Sequence, residues 1–118
     1  MEKLTRQEEE AMQAVWKTGE GSVKQFLENM PSPGTPYTTL ASTIKNLERK
    51  EYLSSRMIGK TYLYKTLIAE EEYKKKFMSG FVKDYFQDSY KALVNFFVEE
   101  NKLSAKELKE IIDLIEKK

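Results

Sequence analysis

The chain has 118 residues, 33% of them charged, with a formal net charge of only +1, which suits one domain with an appendage or two very small domains. It contains no cysteine and no histidine, which removes disulfides, thiol nucleophiles, the usual zinc ligands and the commonest general base. The longest apolar run, Ala92–Val98, is interrupted by Asn95 and is far too short to span a bilayer, and Met1-Glu2-Lys3 leads straight into a charged amphipathic stretch. The expectation is a cytoplasmic, non-enzymatic protein with no cofactor, metal or catalytic residue and no membrane insertion.

Thr5-Arg6-Gln7-Glu8 has the spacing of a capping box and opens a helix with Met12, Val15 and Trp16 on one face, closed at Thr18-Gly19. Glu8, Glu9 and Glu10 near its start suit the helix dipole and read as a solvated face. Ser22-Val23-Lys24-Gln25 is a second box, opening a short helix whose apolar face is Val23, Phe26, Leu27 and Met30. Pro31-Ser32-Pro33-Gly34 breaks the chain. Thr35-Pro36 restarts it, with a capping hydroxyl and proline in the first helical position, and this third helix runs to about Lys50.

Two β-like runs follow, Leu53–Ile58 and Thr61–Thr66, joined by Gly59-Lys60. Glycine first in a two-residue loop predicts a type II′ hairpin in which Met57 faces Tyr62 and Ser55 faces Tyr64. Three helices and a hairpin make a winged helix-turn-helix, and the fold class is mostly α with a small β-hairpin. Residues 1–67 form this domain, and residues 68–118 a helical dimerisation region. From Ala69 the pattern is helical and aromatic: Tyr73, Phe77, Phe81 and Tyr85 recur every four residues, with Phe86 beside them, and Leu93, Val94, Phe97 and Val98 continue the stripe. Gly80 marks a weak point or a close-packing site. Ser104-Ala105-Lys106-Glu107 is a third capping box, before a helix with Leu108, Ile111, Ile112 and Ile115 on one side. A thin helical tail cannot hide so many apolar side chains alone, so a dimer interface is expected at Phe77, Phe81, Phe86, Leu93, Phe97, Leu108 and Ile112.

At 100° per residue, the third helix gathers Leu40, Ile44 and Leu47 on its core side. Thr38, Ser42, Lys45 and Arg49 lie opposite, flanked by Thr39 and Asn46. Short polar side chains early and cations later are what a recognition helix uses on base edges and phosphates. Residues 36–66 carry six cations against two carboxylates, a net +4, whereas residues 1–35 carry four against six, a net −2. A near-neutral chain therefore holds a basic stripe on helix and wing, including Arg56 and Lys60. A polar face opposite an apolar one describes almost any surface helix. The alternative is a winged-helix module that binds another protein and no DNA.

These residues resemble the BlaI/MecI/CopY family of bacterial penicillinase-type repressors over nearly the whole chain. Leu4-Thr5 through Val15-Trp16 is similar to its opening helix. Tyr37-Thr38-Thr39-Leu40, Thr43-Ile44-Lys45-Asn46-Leu47 and Lys50 are similar to its recognition helix, and Gly59-Lys60-Thr61-Tyr62-Leu63-Tyr64 to its wing. The resemblance implies a homodimer that represses transcription from palindromic double-stranded DNA operators. It places Thr38, Thr39, Ser42, Lys45 and Arg49 at DNA, with Lys60 on the wing. Two positions depart from the pattern: Glu51 stands where the family usually has glycine, and Asn46 where it usually has arginine. In penicillinase-type members a membrane sensor metalloprotease triggers cleavage of an Asn-Phe bond, which implies a cut at Asn95-Phe96. Aligning Phe97-Val98-Glu99 with the family moves that Asn one position early. The competing reading makes Phe96 and Phe97 dimer-core aromatics and Asn95 a surface residue. The copper-responsive branch carries a cysteine motif that this chain lacks.

Overall fold

The Glu8 N–H donates to the Thr5 hydroxyl at 3.1 Å while the Glu8 carboxylate accepts from the Thr5 N–H at 2.8 Å. This reciprocal cap launches α1 (Arg6–Thr18) in the computed structural model, which describes residues 2–116. Ser22 and Gln25 cap α2 (Val23–Glu28) in the same way. Helix α3 (Tyr37–Arg49) begins differently. Its N-cap is Pro36, without a side-chain cap, and the Thr35 hydroxyl donates backwards to the Ser32 carbonyl at 3.1 Å. The expected threonine cap is therefore replaced by a turn, because proline at the cap moves the first helical residue to Tyr37 and leaves Thr35 out of reach.

Strands β1 (Leu53–Ile58) and β2 (Thr61–Thr66) pair antiparallel, with Met57 opposite Tyr62 and Ser55 opposite Tyr64. Gly59 takes φ 62°, and Lys60 is not left-handed, as a type II′ turn requires. Gly21 adds a bridge on the outer edge of β2, its N–H donating to the Tyr64 carbonyl at 3.0 Å and its carbonyl accepting from the Tyr64 N–H at 2.8 Å.

The chain then forms α4 (Glu70–Phe86), α5 (Tyr90–Glu99) and α6 (Ala105–Glu116). The Ser104–Glu107 box caps α6. The aromatic stripe is not continuous through α5. Gln87 and Asp88 take φ 47° and 63°, and Ser89 starts a new helix by accepting from the Ala92 N–H. A Cβ added at Gly80 would meet no atom within 4 Å, so Gly80 is not a close-packing site within the chain.

Two compact units result, dividing after Tyr73. The core of the first joins Met12 and Val15 of α1, Phe26 of α2, and Leu40, Ile44 and Leu47 of α3 to Leu53 and Tyr64 of the hairpin. Ile68 belongs to this core and the Trp16 indole N–H donates to its carbonyl at 3.0 Å. Tyr73 packs at a tilt against Trp16 and edge-on against Tyr52, and its hydroxyl donates to Glu9 at 2.7 Å. Residues just beyond 67 thus pack with the winged-helix unit. In the second unit Val82 and Leu93 are buried, and aromatic rings run in contact from Phe77 through Phe81 and Phe86 to Phe96 and Phe97.

Candidate nucleic-acid interface

Helix α3 is anchored on one side by Leu40, Ile44 and Leu47, all at most 1% exposed. Thr43 is buried as well, its hydroxyl donating to the Thr39 carbonyl at 2.9 Å. The C-terminal end is fixed by a Schellman motif: the Tyr52 N–H donates to the Leu47 carbonyl and the Glu51 N–H to the Glu48 carbonyl. Glu51 consequently takes φ 66°. The family's usual glycine would adopt this conformation without strain, and a residue with a Cβ does not.

The opposite face is open. Thr38, Ser42, Lys45, Asn46 and Arg49 are exposed and Thr39 is half-buried. Asn46 accepts from the Arg49 guanidinium at 3.3 Å, so the residue that departs from the family pattern orients the neighbouring cation. Beside this face runs a groove between the start of α2, α3 and the wing, lined by Ser22, Tyr37, Ala41, Lys45, Lys60 and Tyr62. Two cations from distant stretches of sequence therefore meet on one concave surface. Tyr37 and Tyr62 are half-exposed there, a placement that helical and strand periodicity do not predict because neither says which aromatics border a groove.

The basic stripe is less uniform than its charge count implies. The Lys50 ammonium is folded inward onto Glu8 at 2.7 Å and also donates to the Lys3 carbonyl at 3.1 Å. Burial acts to raise the Glu8 carboxyl, but the hydrogen bonds from Lys50 and Thr5 outweigh it and hold Glu8 below the ordinary carboxylate range. This corrects the reading of Glu8-Glu9-Glu10 as a solvated face: Glu8 is buried, Glu9 receives Tyr73, and Glu10 accepts from Ser32 at 2.9 Å. Arg56 is engaged too, in a two-pronged pair with Glu20 at 2.8 and 2.9 Å. At the wing tip Met57, Ile58 and Tyr62 are about half exposed around Lys60.

In the second unit, Phe77, Phe97 and Ile112 are exposed, Phe81, Phe86 and Leu108 are half-buried, and Leu93 is buried within the chain. Asn95 and Phe96 are exposed in the middle of α5, and Phe96 packs edge-on against Phe86. Among the described residues no group of acidic side chains is arranged to hold a metal ion, and no helix is long and apolar enough to cross a membrane.

A family model described as "Penicillinase repressor" matches residues 4–117. The chain belongs to the penicillinase repressor family. The methicillin resistance regulatory proteins MecI of Staphylococcus aureus, Staphylococcus epidermidis and Mammaliicoccus sciuri are each 26% identical to it over 117 residues, covering 98% of this chain and 94% of theirs. As a penicillinase repressor the chain is a transcriptional repressor and not an enzyme. The fold agrees with the family: a mostly helical chain with one antiparallel hairpin in a winged-helix arrangement.

Proposed function

We propose that this penicillinase repressor binds palindromic double-stranded DNA operators as a homodimer, with α3 in the major groove and the wing on the adjoining backbone. The observation that carries this reading is the exposed polar face of α3, backed by a fully buried apolar face and joined by Lys60 across a groove. Thr38, Thr39 and Ser42, in the first turns, meet base edges and phosphates; Lys45, Asn46 and Arg49 follow along the groove. Two recognition helices stand about one DNA turn, ~34 Å, apart. The name of the MecI relatives supports antibiotic-resistance genes as the regulated targets.

The second copy is bound through the second unit, where Phe77, Phe97 and Ile112 lie exposed and α6 has an apolar face of Ile111, Ile112 and Ile115. Repression is relieved by cleavage at Asn95-Phe96, through a membrane sensor metalloprotease or a protease it activates. Cutting there divides α5 and severs α6 from the DNA-binding unit.

Selection of bound sequences from a random duplex pool, followed by titration at several salt concentrations, tests the central claim. A palindrome with fixed half-site spacing is expected. If each subunit neutralises roughly four phosphates, the log–log salt slope is on the order of −7. A salt-independent interaction would refute operator binding.

A further inference from the structure

Two neighbouring residues of β1 tie the wing in opposite directions. The Ser55 hydroxyl donates to the Glu48 carboxylate of α3. Arg56, on the other face of the strand, places its Nε and Nη2 on the two oxygens of Glu20 at 2.9 and 2.8 Å. Glu20 lies in the turn between α1 and α2, and the next residue, Gly21, forms the two-way backbone bridge to Tyr64 of β2. On its other side the turn is held by its own flanking helices, where a Cβ on Gly21 would lie 2.9 Å from Gln25 Oε1 of α2 and 3.1 Å from Thr18 Cγ2 of α1. The fork and the bridge thus join the same turn to both strands, and the planar guanidinium fixes the distance and angle of that joint as a single ammonium would not.

We propose that Glu20 and Arg56 form a strut that sets the angle of the wing relative to α3, making Arg56 a positioning residue for DNA recognition and not a phosphate ligand. This rests on the DNA-binding reading above. The cations left to face phosphate from helix and wing are then Lys45, Arg49 and Lys60, since Lys65 shares the Arg56 face of the hairpin and helps to lower the Glu20 carboxyl. The strut makes an unusual forecast for Glu20. Removing an acidic group near a polyanion ordinarily tightens binding. Here its removal releases Arg56, loosens the wing and weakens binding.

The test uses the full chain and the operator duplex selected above, with Glu20→Gln, Arg56→Gln and Arg56→Lys variants. For the strut, E20Q and R56Q each weaken binding by about two- to fivefold, the scale of a well-formed exposed ion pair. Both keep the wild-type salt slope, and R56K, which retains charge but not the fork, behaves like R56Q. The proposal is overturned if E20Q binds as tightly as wild type or tighter, or if R56Q flattens the slope by about 0.9 per subunit, the signature of a lost phosphate contact. Hydrogen exchange of the free protein supplies a readout independent of DNA. The Tyr64 and Gly21 amides should exchange faster in E20Q, and unchanged protection overturns the strut. Wild-type protein that ignores duplex DNA would instead sink the operator reading while leaving this exchange result to judge the strut.

Discussion

Lys50 Nζ sits 2.7 Å from Glu8 Oε1, an ion pair across 42 residues that ties the first turn of α1 to the end of α3. Both side chains are at most 14% exposed. Breaking such a pair leaves the surviving charge buried without its partner. Lys50→Ala should therefore cost about 2–3 kcal/mol in urea unfolding, whereas Arg49→Ala, one residue earlier but exposed, should fall within about 0.5 kcal/mol of wild type.

The same pair gives stability a pH dependence of known sign. Glu8 is held below its ordinary range in the folded chain, so the unfolded state binds its proton more readily. Its contribution is fully present above the unfolded carboxylate value of about 4.3 and is lost as pH falls through the lower, folded value. Urea midpoints measured from pH 7 down to pH 3 should fall in wild type. In Glu8→Gln that part of the fall should disappear.

Glu51 occupies a left-handed position, φ 66°, inside the Schellman turn that ends α3. Glu51→Gly removes the Cβ clash, worth about 1–2 kcal/mol, and gives back part of it in unfolded-chain entropy. A net gain of about 0.5–1 kcal/mol is expected, read as a higher thermal midpoint. A loss of stability would show that the Glu51 side chain makes compensating contacts.

Gly21 is constrained from the other direction. A Cβ there would come within 2.9 Å of Gln25 Oε1 and 3.3 Å of Phe26 Cε1. Gln25 can swing aside only by giving up the bond it accepts from the Ser22 N–H at 2.8 Å, half of the cap on α2. Gly21→Ala should destabilise the chain by about 1–2 kcal/mol through loss of that cap and crowding of Phe26.

The proposed dimer has its own readout. Ile112 is 52% exposed on the apolar side of α6. Ile112→Asp should leave the thermal unfolding of the winged-helix unit unchanged and shift the sedimenting species from dimer to monomer at micromolar concentration. An unchanged dimer would place the interface elsewhere.

The II′ turn and the capping boxes were legible in the sequence because each depends on residues within four positions of one another, and the turn in turn sets the register of the two strands. Periodicity likewise separated Leu40, Ile44 and Leu47 from the polar face of α3, since helical geometry alone decides which side chains share a side. The break at Gln87-Asp88 is not legible in the sequence, because non-glycine residues in left-handed conformations carry little local signal. What only the tertiary structure decided was the fate of charges distant in sequence. Glu8 with Lys50, and Glu20 with Arg56, are 42 and 36 residues apart, and no composition or spacing says that an acid and a base will meet. Counted along the chain, Lys50 and Arg56 were part of a uniform basic stripe. Folding packs α1 against α3 and lays the α1–α2 turn beside the hairpin, so these two cations are held by acids within the domain while Lys45 and Lys60 converge on the groove.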